Sequence, residues 1–207
     1  MFDAQTMAFL AVAAALAITP GADTLLVIKN SVRAGSRAGW ATTWGILAGV
    51  MAHALLSALG LSVILAQSDR LFFVIKSLGA VYLVWLGCKA LWQSSRPLPH
   101  ADPNSVQLPA TAAFREGLLT NVLNPKVAIF YIAFLPQFIS VGDPVLAKSI
   151  LLASIHNGFS LIWLGGLVWA LSRGQHWFQR SGVQKALARV SGTLLVGMGV
   201  KLFLTER

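Results

Sequence analysis

The stretch Ile18-Thr19-Pro20-Gly21-Ala22-Asp23-Thr24-Leu25 lies inside an apolar run from Met7 to Ile28. Pro20 has no amide hydrogen, and its ring clashes with the carbonyl four residues earlier. Gly21 tolerates the bend that follows. Asp23 then sets an ionisable group among aliphatic side chains. A soluble helix gains nothing from this order of residues. In a bilayer it is a helix broken near mid-depth with a charge at the break.

The composition agrees with a bilayer. Of 207 residues, 56% are hydrophobic and 11% charged, with a mean hydropathy of +0.70. These values place the chain among all-α integral membrane proteins. Seven Trp and two Tyr suit anchoring at the interfaces. The net charge of +9 does not point to nucleic acid, because Lys and Arg occupy short gaps between apolar runs and build no basic stripe. The single cysteine, Cys88, excludes an internal disulfide, a Cys-x-x-Cys redox centre and a thiolate metal cage. Met1-Phe2-Asp3-Ala4 carries no basic residue, which argues against a cleavable signal.

Six segments reach or approach the roughly 20 apolar residues needed to cross a membrane. They are Met7–Ile28, Trp40–Ala66, Leu71–Trp92, Phe114–Ile139, Val145–Leu171 and Ala188–Leu204. The last is the shortest, so a five-span alternative stays open. Residues 93–113 hold Pro97, Pro99, Pro103 and Pro109 and read as a central linker. This divides one membrane domain, 1–207, into halves 1–92 and 114–207. Each half has three spans, and an odd count forces sequential copies into opposite orientations, so the expected architecture is two inverted three-helix repeats. Leu78-Gly79-Ala80 and Ser191-Gly192-Thr193 open corresponding spans, and spans two and five each carry a histidine, His53 and His156. Lys29, Arg33 and Arg37 follow span one, Lys89, Arg96 and Arg115 flank the linker, and Arg173, Arg180, Lys185 and Arg189 follow span five. This bias predicts both termini on the periplasmic side.

Span four repeats the device of span one at Asn124-Pro125, with Lys126 next. Thr and Asn are good N-caps and Pro suits the first helical position. Thr19-Pro20 and Asn124-Pro125 therefore read as starts of half-helices whose free amides attract a carboxylate. The plain alternative is an ordinary proline kink repaired by neighbouring helices. Asp23 is the expected proton-coupling group, since a carboxylate at this depth is costly unless paired, hydrated or protonated. Lys126 reads either as its partner or as a long side chain snorkelling to the surface. His53 shares a face with Gly45 and Gly49 and so points into the bundle, as a ligand or as a structural hydrogen-bonding group. Asn157 either lines the path or bonds to a neighbouring helix. The expected binding set is Thr19, Pro20, Gly21, Asp23, His53, Asn124, Pro125, Lys126 and Asn157. No metal ligand spacing, nucleophile–base pair or phosphate loop stands out, and no cofactor is implied.

Several motifs in order resemble the lysine exporter (LysE) translocator family, especially its homoserine/threonine (RhtB-type) branch. They are Thr19-Pro20-Gly21 with Asp23, Gly35-Ser36-Arg37-Ala38-Gly39 leading to Gly45 and Gly49-x-x-x-His53, Leu78-Gly79-Ala80-Val81-Tyr82-Leu83 with Gly87, and Gly117-Leu118-Leu119-Thr120-Asn121 through Asn124-Pro125-Lys126. Ala22 replaces the second proline of the family's usual Pro-Gly-Pro. The resemblance implies a bacterial inner-membrane exporter of amino acids driven by the proton gradient, not an enzyme. The remaining acids, Asp3, Asp69, Asp102, Glu116, Asp143 and Glu206, fall in gaps or tails, which favours a neutral substrate of the homoserine, threonine or leucine kind. The rival readings are a cation or metal exporter, which needs more buried ligands than Asp23 offers, and a passive channel. Glycine faces such as Gly165-Gly166 suit packing within one chain or in a homo-oligomer.

Overall fold

The computed structural model describes residues 4–67, 74, 77–78, 80–81, 84–85, 88–89, 91–92, 108–140, 142–173 and 181–204. Those residues are helical or lie in short connections, with no strand among them. Helix α1 is Ala4–Ile18 and α2 is Ala22–Gln67. After the linker come α3, Ala110–Val122, and the short α4, Pro125–Ile129. A π-helical turn, Phe130–Phe134, and a 3-10 turn, Leu135–Phe138, continue from α4. Helices α5, Val145–Ser172, and α6, Ser181–Leu204, complete the order. The linker to residue 107 and half of span three lie outside the described residues.

Helix α2 is not one straight rod. Gly35 inside it has φ 80° and ψ 177°, a backbone region open almost only to glycine. Asn30 Nδ2 donates to Thr42 Oγ1 at 2.9 Å. Twelve residues along a straight helix would separate them by about 18 Å. The chain therefore turns back at Gly35, so that residues 22–34 pack against the start of the arm 36–67. The expected gap between spans one and two contains no loop, because one glycine absorbs the whole reversal. Span one itself is split, as α1 plus the first arm of α2. The sixth helix begins at Ser181, earlier than the expected Ala188.

By length and composition Ala22–Gly60, doubled back at Gly35, and Val145–Ser172 are apolar enough to cross a membrane, and α3 with residues 125–138 forms a third such unit bent by 50°. The bundle's outer surface is apolar, with Leu56, Leu123 and Ile162 largely exposed. Such a surface suits hydrocarbon and would be a liability in water. Packing inside depends on small residues that let backbones meet. A methyl group on Gly45 would overlap the Phe114 carbonyl, and one on Gly117 the Thr42 carbonyl. These glycines bring α2 and α3 into backbone contact. On the other side, Phe9 of α1 packs edge-on against Phe138 at 5.2 Å and tilts against Phe130 at 6.0 Å. The π-turn has a local cause. Pro136 cannot donate to Ile132 and presses on its carbonyl, so the preceding turn widens.

Candidate functional site

At the first break, Pro20 leaves the Leu16 carbonyl without its intrahelical donor. Thr19 closes α1: its amide and its hydroxyl both donate to the Ala15 carbonyl. It is not the N-cap of the next half-helix. That place is taken by Gly21, whose carbonyl accepts the first helical bond from Leu25 at 3.0 Å. Thr19 bonds backwards because two residues, Pro20 and Gly21, separate it from the restart at Ala22. Asp23 then falls in the first turn of α2, where the helix dipole favours an anion.

At the second break the expected cap is present. Asn124, with φ −78° and ψ 108°, accepts through Oδ1 from the Lys126 amide at 3.1 Å, and Pro125 occupies the first helical position. The Val127 and Ala128 amides bond to the Asn124 carbonyl at 3.1 and 3.0 Å. Pro125 has no amide hydrogen, so α4 begins with no free donor. The half-helix reading expected open amides at both breaks; of the two, the one at Pro20 is the one that leaves a first helical turn, that of α2, with amides open to a carboxylate.

The two breaks meet. Asn121 Nδ2 donates to Asp23 Oδ2 at 2.9 Å and Asn124 Nδ2 to the same oxygen at 3.3 Å. Asp23 Oδ1 and Asn121 Oδ1 are buried with no protein partner. Lys126 does not form an ion pair with Asp23. Among the described residues the ion pairs are Lys29–Glu116 at 3.5 Å and Lys148–Asp143 at 2.6 Å. Lys126 Nζ instead donates to the Leu16 carbonyl at 3.0 Å and the Thr19 carbonyl at 3.2 Å. Between these groups lies a cavity of about 20 Å³, bordered by Gly21, Asp23, Asn121, Lys126, His156 and Ser160 among others. That volume holds about one water molecule, space far too small for an amino acid.

His53 lies one layer away. Its Nε2 hydrogen-bonds the Asn121 carbonyl at 3.1 Å, fixing the residue that holds Asp23. It stacks at 6.1 Å on Tyr131, whose ring centroid also lies 5.9 Å from that of His156. The Tyr131 hydroxyl bonds to His156 Nδ1 at 3.0 Å, and Ser57 donates to the Tyr131 carbonyl at 2.6 Å. Asn157 is elsewhere. Its Nδ2 donates to the Leu47 carbonyl at 3.1 Å, and it borders a separate open groove of about 550 Å³ with Trp44, Ser154 and Gly158. One helical residue, about 100° of rotation, turns Asn157 away from the side on which His156 faces the cavity. The sequence reading left Asn121, His156 and Ser160 out of the binding set. Asn121 had a local signal in the Asn121-x-x-Asn124 spacing, which sets a second amide within one turn of the break.

Glu116 is not left in a gap: it sits on α3, bound by Lys29 and by Asn30 Nδ2 at 3.1 Å. Asp143 lies in the connection before α5. Its hydrogen bond from Lys148, then the Ser140 amide, hold its carboxyl below the usual carboxylate range.

No solved structure matches this chain. An uncharacterized membrane protein of Bacillus subtilis, YrhP, is 35% identical over 202 residues, covering 94% of this chain and 96% of that one. A leucine efflux protein of Salmonella choleraesuis is 31% identical over 192 residues, covering 90% and 89%. An uncharacterized membrane protein of Pseudomonas aeruginosa is 34% identical over 190 residues, covering 89% and 88%. Residues 14–206 match the family described as LysE type translocator; the chain belongs to that family and is a membrane protein built of apolar helices.

Proposed function

We propose that this chain is a secondary transporter that exports a neutral amino acid of the leucine, homoserine or threonine kind across the bacterial inner membrane in exchange for protons. The observation that carries this reading is the unpartnered Oδ1 of Asp23, buried at a helix break beside a small cavity. A buried carboxylate with one oxygen free needs a proton or a cation to complete it. The ammonium of an amino acid and a proton compete for that oxygen. Outward movement of substrate is thereby tied to inward movement of protons. The free first-turn amides of α2 are the donors available to the substrate carboxylate. Among the described residues the other acids are engaged, Glu116 by Lys29 and Asn30 and Asp143 by Lys148, which favours a substrate without a cationic side chain. The 31% identity to a leucine efflux protein supports the same substrate class.

The architecture we propose for this activity has six spans as two inverted repeats, 1–92 and 114–207, joined by residues 93–113, with both termini periplasmic. It is supported by two successive units of the same plan, each a helix, a proline break, a half-helix, a reversal and a long helix. A cavity this small requires the two units to separate during the cycle, which suits rocking of one repeat against the other. The test is counterflow in proteoliposomes with a panel of amino acids, with and without a pH gradient. Accumulation of a labelled neutral amino acid that rises with the imposed gradient is expected. Counterflow indifferent to the gradient for every amino acid would overturn the antiport reading and favour a passive path.

A further inference from the structure

We propose that the ammonium of Lys126 is a tethered cation filling a two-carbonyl site made by the Pro20 break, so that this chain carries its own covalent substitute for a diffusible cation. Leu16 loses its donor because residue 20 is proline, and Thr19 loses the helix beyond it. Both carbonyls point from the C-terminal, partially negative end of α1, where a cation is favoured. Lys126 Nζ reaches both, at 3.0 and 3.2 Å, and lies over Gly21, where an added methyl group would stand 3.5 Å from it. The lysine is aimed there by the second break: the Asn124 cap fixes its amide and hence the start of its side chain. Broken helices in transporters commonly present such carbonyls to a coupling sodium ion. Here the position is taken, by a charge that cannot leave.

Two consequences follow. The first, resting on the exporter reading, is that transport needs no sodium. The second does not rest on it: with Lys126 shortened, the site becomes a binding site for a small primary ammonium ion. The experiment measures thermal unfolding of detergent-purified wild type, Lys126→Ala and Lys126→Arg while n-propylammonium or tetramethylammonium chloride is titrated. Lys126→Ala is expected to melt roughly 5 °C lower, because two buried carbonyls lose their donor. Propylammonium should restore most of that loss saturably in Lys126→Ala and leave wild type and Lys126→Arg unchanged. Tetramethylammonium, which has no N–H, should do nothing. Wild-type melting in Lys126→Ala, or equal effects of the two cations, would overturn the proposal. Lys126→Met keeps the apolar stem and replaces Lys126→Ala should that variant fail to accumulate. Failure of both to accumulate even with propylammonium present counts against the site. Wild-type counterflow should be equal in sodium and potassium buffers, and a sodium requirement would also overturn it. Absence of any counterflow in wild type would end the exporter reading and leave the melting result standing.

Discussion

The breaks at Pro20 and Pro125 look alike in sequence and are opposite in chemistry. The second is self-sufficient: Asn124 caps it and every amide of its first turn is bonded or absent. The first is incomplete in both directions. It leaves two carbonyls, which Lys126 fills, and one carboxylate, which Asn121 and Asn124 half satisfy. A proline break thus supplies either a rigid donor set or an open acceptor set, according to the residues around it. Here the closed break serves the open one.

Several substitutions test that asymmetry. The largest effect is expected at Asp23. Asp23→Asn keeps the shape and removes the charge that substrate and proton share, so counterflow should fall to background while the protein still inserts and unfolds cooperatively. Retained counterflow would detach the open break from transport. Next is Gly49→Ala. The added methyl group would stand 2.6 Å from Asn121 Oδ1 and 2.8 Å from Asn121 Cβ, an atom fixed to the α3 backbone. Overpacking of this kind costs about 1–3 kcal/mol. Melting should drop, and transport should fall further than in Gly60→Ala, where an added methyl group meets nothing.

A smaller and sharper contrast compares the residues before the two prolines. Asn124→Ala should lose about 1 kcal/mol as a cap and lower transport by removing one of the two hydrogen bonds that hold Asp23. Thr19→Val, which loses only a second bond to a carbonyl already served by the Thr19 amide, should cost less in thermal unfolding. Equal costs would mean that the breaks are alike after all. The smallest effect lies in the connection before α5. Asp143 has a folded pKa below its unfolded value, so its contribution to stability is present above the unfolded carboxylate pKa. It is lost as pH falls through the folded one. Melting of wild type and Asp143→Asn should therefore converge on acidification through that window. A gap that persists below it would assign the effect to packing.

Much of this was legible before any coordinates. The break in span four, its asparagine cap and the inward face of His53 follow from proline chemistry and four-residue spacing. A reversal between Ile28 and Trp40 was legible, but not that helix runs up to it on both sides and that Gly35 alone makes the turn, because only its positive φ marks the place. Thr19 was misread as a cap because sequence cannot say how many residues a break consumes. Of the two readings of Asn157, the bond to a neighbouring helix is the one the structure has, while His156 borders the cavity: on an apolar helix a one-residue rotation has no signature when both neighbours are polar.

The order of residues by itself determined that the chain is a membrane protein, where its helices break and which ionisable groups stand at the breaks, since each depends on local covalent facts: apolar length, a missing N–H, a short capping side chain. Only the tertiary structure decided the partners. Asp23 meets Asn121 across 98 residues, and Lys126 reaches Leu16 across 110. Those meetings require α2 and α3 to touch backbone to backbone at Gly45 and Gly117. Partner choice depends on which surfaces pack closely enough to exclude every alternative, and that is a property of the assembled bundle.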